Sequence, residues 1–359
     1  MSPLRGFFLY NGPMQEQHRL TPGPLLNEKG DLVEAGYACS LVKDYDKSMV
    51  KGGSFRLKEW DYYYVGNSDY GVALTVADNS YMGMVSVSVL DFKAKFDVTK
   101  SIIVPFTRGK WNLPTTSKTG DIEVSDSKKG YSFRFLNLGQ GKRRLVVFVK
   151  SMDKLSTPFH CDIALEETSP NSMVIATPFA KKAHFYYNQK INNQIAHGYA
   201  KFGDRMLDFN SSSFGVLDWG RGVWTYRNTW YWCSVSSCVD GHLLGWNLGY
   251  GFGDTSKASE NMLFLDDKAI KLGAVCFDIP ISSTGGDDFM KDWLFRFKDD
   301  SFELRFHPIY DRHSDTSALI IRSNQHQVFG VFSGSFLVDG KPFSFSEVPG
   351  FAEKVFNKW

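Results

Sequence analysis

Alternation of apolar and polar residues constrains this chain more than any other feature. Tyr131-Ser-Phe-Arg-Phe-Leu-Asn-Leu alternates over its whole length, and so do Met84-Val-Ser-Val-Ser-Val-Leu and Phe302-Glu-Leu-Arg-Phe. A period of two puts the apolar side chains on one face of a strand, whereas long runs with helical periodicity do not occur. Between the alternating runs fall hairpin signals at Lys298-Asp-Asp-Ser, Asp266-Asp-Lys and Asp339-Gly340, the last being the strongest two-residue turn. Gly139-Gln-Gly-Lys-Arg-Arg also links two alternating runs and reads as a hairpin, not a phosphate loop. Many strands joined by short turns make an all-β barrel or sandwich. Helix is expected only in minor pieces, Leu41 to Met49 and the terminal Gly350 to Trp359, which follows the start signal Pro349.

A length of 359 residues, 43% of them hydrophobic, suits two domains of ordinary size. An internal echo points the same way. Trp60-Asp-Tyr-Tyr-Tyr-Val leads after 11 residues (71 − 60) to Gly71-Val-Ala-Leu-Thr-Val, and Trp230-Tyr-Trp-Cys-Ser-Val leads after 11 (241 − 230) to Gly241-His-Leu-Leu-Gly-Trp. Ile103-Val-Pro-Phe and Asp278-Ile-Pro-Ile extend the echo at an offset that has grown from 170 to 175. The polar, Asn/Gln-rich stretch from Phe185 to Ala200 is the expected boundary. It divides the chain into 1–190, an N-terminal extension plus first barrel, and 191–359, a second barrel carrying the site. The first forty residues, with Pro13, Pro22 and Pro24, read as an irregular arm.

Composition excludes several classes of function. Lysine plus arginine is 41 against 39 acids, so a net charge of +2 offers no general field for a phosphate backbone, and nucleic acid is not an expected partner. The apolar patch at Gly6 to Tyr10 is too short for a signal-peptide core, and no run reaches membrane-spanning length; a soluble, cytoplasmic protein is expected. Cys39, Cys161, Cys233, Cys238 and Cys276 are odd in number and scattered, which argues for reduced thiols. Cys233 and Cys238, five apart on a strand, point to opposite faces. The histidines lack metal-ligand spacing, and neither G-x-G-x-x-G in a βαβ context nor G-x-S-x-G occurs. No metal, nucleotide or other cofactor is expected.

The candidate site is the stretch Val216 to Asp254, which crowds Asp218, Arg221, Arg227, Asn247 and Asp254 among five tryptophans. On a strand from Leu243, Gly245, Asn247, Gly249 and Gly251 share one face, and Leu244, Trp246, Leu248, Tyr250 and Phe252 the other. A lane of glycine marks the close approach of a ligand, or of a neighbouring ring such as Trp230 or Trp232. Asp218 shares a face with the apolar Phe214 and Val216 and so needs a partner or a raised pKa. Arg221 and Arg227 are the nearest candidates; the carboxylate is either a catalytic acid or half of a structural pair. Asp311-Arg312-His313 adds an imidazole with an acid two residues away, Glu260-Asn261 adds a further polar pair, and Glu353 is an acid in apolar company whose default role is surface or capping.

Gly215-Val-Leu-Asp-Trp-Gly-Arg-Gly-Val-Trp, Tyr226-Arg-Asn-Thr-Trp-Tyr-Trp, Asn247-Leu-Gly-Tyr-Gly-Phe-Gly-Asp, Glu260-Asn-Met-Leu-Phe and Gln327-Val-Phe-Gly-Val-Phe-Ser-Gly resemble the core motifs of a bacterial family, domain of unknown function 2804. A remoter resemblance, of architecture, is to tandem lipocalin-like proteins such as carotenoid hydratases and the fungal cyclases that guide Diels–Alder reactions. It implies two tandem lipocalin-like (calycin) antiparallel β-barrels with an apolar ligand cavity, and no catalytic residue transfers from it. The expected partner is a small apolar molecule. Three functions fit these residues. One is cofactor-free acid–base chemistry (hydration, isomerisation or cyclisation) with Asp218 as the acid, Arg221 and Arg227 tuning it, Asn247 orienting a polar group, and Trp219, Trp230 and Trp232 enclosing the hydrocarbon. Asp254, Asn261 and His313 complete the set of candidate ligand-binding residues. The others are a non-catalytic carrier or sensor of a lipid-like ligand, and a carbohydrate-binding or carbohydrate-cleaving protein.

Overall fold

The computed structural model describes residues 16–51, 55–297, 303–318 and 321–358. An arm holds three short strands, β1 (Gly23–Pro24), β2 (Gly36–Ala38) and β3 (Lys43–Asp44). The first module contains β4 (Lys58–Gly66), β5 (Tyr70–Asp78), β6 (Met82–Asp91), β7 (Phe96–Pro105), β8 (Ile122–Asp126), β9 (Tyr131–Gly139), β10 (Lys142–Val149), β11 (Phe159–Glu166), β12 (Met173–Pro178), β13 (Phe185–Phe202), β14 (Arg205–Phe209) and β15 (Phe214–Val223). The second contains β16 (Arg227–Val239), β17 (His242–Tyr250), β18 (Met262–Leu265), β19 (Lys268–Lys271), β20 (Val275–Asp278), β21 (Trp293–Phe297), β22 (Glu303–Ala318), β23 (Ile321–Val338) and β24 (Lys341–Lys358).

Each module is one curled antiparallel sheet, in keeping with the tandem lipocalin-like expectation. The first runs β7-β6-β5-β4-β15-β13-β11-β10-β9-β8, and the second β19-β18-β17-β16-β24-β23-β22-β21-β20. In both, the opening strand pairs on one side with its hairpin partner and on the other with the last strand of its module. The Trp60 and Trp230 motifs occupy those opening strands, so the echo reports equivalent places in two similarly wound sheets. Hairpins form at Gln140–Gly141, Asp266–Asp267 and Asp339–Gly340, where Gln140, Asp266 and Asp339 adopt φ of 51°, 53° and 51°. The turn expected at Lys298-Asp-Asp-Ser lies outside the described residues.

Three expectations need correction. The segment 350–358 is strand, because β24 is laddered on both sides, to β16 and β23, and that pairing overrides the Pro349 signal. Within Leu41 to Met49 only a single 3-10 turn forms, at Lys47–Met49. The polar stretch Phe185 to Ala200 is not a linker but strand β13 in the middle of the first sheet, and the change of sheet falls between Val223 and Arg227. Its Asn188, Gln189, Lys190, Asn192, Asn193 and Gln194 are buried, and several of them pack where the modules meet: Asn192 Nδ2 donates to Ser234 Oγ at 2.9 Å and to the Val235 carbonyl at 3.0 Å. Polarity there marks an interior seam.

The second barrel is packed with its own rings. Leu244, Trp246 and Leu248, the bulky face of β17, turn inward. Trp246 meets Phe332, Phe336 and Phe345 at 5.3 Å between centroids, and Phe306 meets Phe332 at 4.5 Å. The hollow expected inside this barrel is therefore filled, and the described cleft lies between the modules instead. Along that seam the arm spans both halves: β2 pairs with β12, while Gln17 Nε2 donates to the Leu272 carbonyl and the Ser259 amide donates to Gln17 Oε1, each at 2.8 Å.

Close packing at the seam depends on Gly220, opposite Trp60 in the β15–β4 ladder, where an added Cβ would fall inside the Trp60 indole. Gly220→Ala is expected to cost about 1–3 kcal/mol in urea unfolding through overpacking. Gly286→Ala, at a site with open space, is expected to stay within about 0.5 kcal/mol of wild type. Equal stability of the two variants would contradict this packing.

Candidate functional site

The ladder decides which candidates meet. Asp218 and Arg221 lie three apart on β15, so they point to opposite faces. Arg221, fully buried inside the first barrel, binds Asp61 at 3.0 Å, donates to the Trp60 and Pro114 carbonyls at 2.7 and 2.8 Å, and lies 4.3 Å from the Trp219 ring. Trp219 is buried there too, edge-on to Tyr187. Arg227 is exposed and sits over Phe356. Asp254 is exposed and accepts from the Ser256 amide at 2.9 Å, Asn261 ties the Gly249 amide to the Gly273 carbonyl, and the exposed His313 stacks on His326 at 4.0 Å. The side chains of these six make no described bond to the group around Asp218; of the six, the Trp219 backbone carbonyl accepts from Asn188 Nδ2 at 2.7 Å.

Asp218, Trp230, Trp232 and Asn247 do gather, on the seam. Asp218 is 8% exposed, and its partner is Lys190, not an arginine: Lys190 Nζ lies 2.8 Å from Oδ2, and Asn188 Nδ2 donates to Oδ1 at 2.6 Å. Lys190 also lies 3.9 Å from the centre of the Trp232 ring, a cation–π contact that joins the modules. Trp232 Nε1 donates to Asn247 Oδ1 at 2.6 Å, and Asn247 Nδ2 to the Glu260 carbonyl at 2.7 Å. The glycine lane admits protein groups: a Cβ on Gly249 would stand 2.6 Å from Glu260 Oε1, and one on Gly245 would meet the Asn193 amide.

Glu353, given a surface role by default, is the acid at the centre of the second half. It is 8% exposed, accepts from Trp230 Nε1 on Oε1 at 2.9 Å, and accepts from Gln327 Nε2 on Oε2 at 3.1 Å. Asp218 is paired across the ladder with Tyr62, and Glu353 with Trp232. Since Tyr62 and Trp232 are 170 apart (232 − 62), the two acids hold matching positions in the two modules. That echo was the signal by which Glu353 could have been found. The same echo matches Tyr62 to Trp232, and Gln327 heads one of the family motifs; Lys190 had no such signal, because it joins the site through strand register.

Burial sets the electrostatics. It pushes the Glu353 carboxyl up to about 7; the Trp230 bond and the charges of Lys190 and Arg312 pull it down, and Asp218 adds to the rise. Burial likewise raises Glu260, against the pull of Lys190 and with Asp218 adding to the rise. The Tyr62 phenol is held up at about 12, mainly by desolvation. Among the described residues no group of three His, Cys, Asp or Glu side chains is placed to hold a metal ion.

A cleft opens two and four residues along the same strands. Where the acid level contains Tyr62, Asp218, Trp232, Glu353 and Gln327, the next contains Tyr64, Val216, Ser234, Phe351 and Phe329, and these line the cleft. Beyond them Gly66, Phe214, Ser236, Pro349 and Val331 form its outer walls. Tyr64, Phe329 and Phe351 touch one another at 5.3–5.7 Å between centroids, and Trp232 meets Phe351 at 4.9 Å. The cleft, about 50 Å³, is thus walled by rings, with the buried acids one strand level away.

The raised Glu353 pKa makes a stability prediction. Unfolding returns the carboxyl to about 4.5, so from there to about pH 7 the folded state holds this proton more tightly; the group's contribution is full below 4.5 and is lost as pH rises through 7. Glu353→Gln has no such loss. Its stability should therefore gain on wild type by up to about 3 kcal/mol between pH 4.5 and 8, at about 1.4 kcal/mol per unit. A difference that stays constant over that range, in urea unfolding, would contradict the assignment.

Known structures share the fold. An AttH protein from Nitrosomonas europaea superposes with a TM-score of 0.51 at 13% identity, over 86% of this chain and 95% of its own. Kievitone hydratase from Nectria haematococca does so with a TM-score of 0.51 at 13% identity, over 95% and 98%. Comparison with curated protein sequences finds no match. No described helix is long and apolar enough to cross a membrane. Residues 16–359 match the family described as domain of unknown function 2804, and the chain belongs to that family.

Proposed function

We propose that this protein binds a largely apolar small molecule between its two modules and performs acid–base chemistry on it, with Glu353 as the group that gives and takes the proton. The observation that carries this reading is a buried carboxyl, pushed up to about 7 by desolvation, one strand level behind an apolar cleft. A general acid–base works best when its pKa lies close to the working pH, because both protonation states are then populated. Asp218, with both oxygens bonded, holds Lys190 in place and adds the negative charge that helps to keep Glu353 protonated.

The residues suit addition or removal of water at a carbon–carbon double bond. Neutral Glu353 gives its proton to one alkene carbon, and the π electrons form the new C–H bond. Positive charge on the other carbon faces the rings of Trp230, Trp232 and Tyr62, whose quadrupoles stabilise a cation. Water adds to that carbon and returns a proton to the Glu353 carboxylate. Isomerisation and cyclisation use the same first step, followed by proton loss to the Glu353 carboxylate, directly or after attack of a second double bond has moved the cation to a new carbon. The hydratase among the proteins of this fold supports this class of reaction.

The test is incubation of the protein with the organic-soluble fraction of a cell extract in water enriched in deuterium and oxygen-18. At least one apolar compound is expected to gain isotope with wild type, at a rate lowered roughly 10²–10⁴-fold by Glu353→Gln. Retention of an unlabelled compound by both proteins would make this a carrier, and capture of an oligosaccharide would make it a carbohydrate-binding protein; either result overturns the proposal.

A further inference from the structure

Gln327 is 2% exposed, and its amide nitrogen is fully used, donating to Glu353 Oε2 at 3.1 Å and to Tyr62 Oη at 3.2 Å. With Glu353 ionised this sets the amide, since the opposite orientation would face its oxygen to that carboxylate. Its Oε1 is left buried with no hydrogen-bond partner. No acceptor is placed for the Tyr62 hydroxyl proton among the described residues, and the high pKa of that phenol keeps the proton on it at neutral pH. An unmet acceptor and an unmet donor therefore stand side by side, next to Glu353 and one strand level from the cleft.

Such a pair selects for chemistry. A carbonyl or ether could accept from Tyr62 but would leave Gln327 Oε1 unpaired, an ammonium would do the reverse, and a bare hydrocarbon would leave both unmet. Only a group that donates and accepts at once satisfies the two, and each buried polar atom left unpaired costs about 1–3 kcal/mol. We propose that Gln327 and Tyr62 are positioning residues that bind a hydroxyl group, alcoholic or phenolic, at the leading end of an apolar ligand whose body occupies the cleft beside Tyr64, Phe329 and Phe351. This rests on the proposed function for the location of the ligand and names its chemical class.

Matched probes test it by equilibrium dialysis: naphthalene, 2-naphthol and 2-methoxynaphthalene. Wild type is expected to bind 2-naphthol roughly tenfold or more tightly than the other two, a tenfold ratio being about 1.4 kcal/mol. The methoxy probe accepts but cannot donate. Tyr62→Phe and Gln327→Met should each bring the ratio towards one, a change in selectivity that loose packing alone does not produce. Should a variant fail to fold, the ratio of 2-naphthol to 2-methoxynaphthalene on wild type still decides the matter. Equal binding of all three probes, or variants that keep the wild-type ratio, would overturn hydroxyl recognition and leave the cleft standing as a binding site. Binding of none of them would remove the cleft as a site, and this inference with it.

Discussion

One ammonium among three buried carboxylates governs the meeting of the two sheets. Lys190 bonds Asp218, lies over Trp232 and pulls on the pKa of both Glu260 and Glu353. Charges withdrawn from water are costly unless paired, and the cations acting here, Lys190 with Arg312 on Glu353 and with Lys271 on Glu260, do not offset the burial of these carboxyls. Desolvation dominates and pushes the Glu353 carboxyl up to about 7. A group of this kind has little to offer stability compared with well-packed apolar side chains, which directs attention to a chemical role.

The matching placement of Asp218 and Glu353 shows how two similar sheets come to serve different purposes. In the first module the acid is held by a lysine and an asparagine; in the second, by an indole and a glutamine. A full positive charge at 2.8 Å favours the carboxylate, whereas neutral donors favour it less. Two copies of one strand position are thereby given different partners, and burial pushes the Glu353 carboxyl up to about 7. The rings of Tyr64, Phe329 and Phe351 pack together one strand level from these acids.

Much of this was legible in the amino-acid order. Period-two alternation and turn residues such as Asp339-Gly340 placed strands and hairpins, because both are local effects. The demand that Asp218 be paired was also legible, from its apolar face. The identity of its partner was not: Lys190 is 28 residues away (218 − 190) and reaches Asp218 only through the β13–β15 register. Proximity in sequence favoured Arg221, which strand geometry sends to the other face. The Asn/Gln-rich stretch looked like a linker because exposed polar segments usually are, yet here the polarity lines an internal seam. The hollow was sought inside the second barrel, where the large side chains of β17 pack against rings from β23 and β24 whose contacts are all long-range in sequence.

The central claim is that a guest molecule lies between the modules with its polar end towards Glu353. Photolabelling measures this most directly: a long-chain alcohol carrying a diazirine is irradiated with the protein and the adducts are mapped by mass spectrometry. Adducts on Tyr64, Val216, Phe329 or Phe351, competed by the unlabelled alcohol, are the result this account predicts. Competed adducts on Trp246, Phe306 or Phe332 in the interior of the second barrel, with none along the seam, would contradict it.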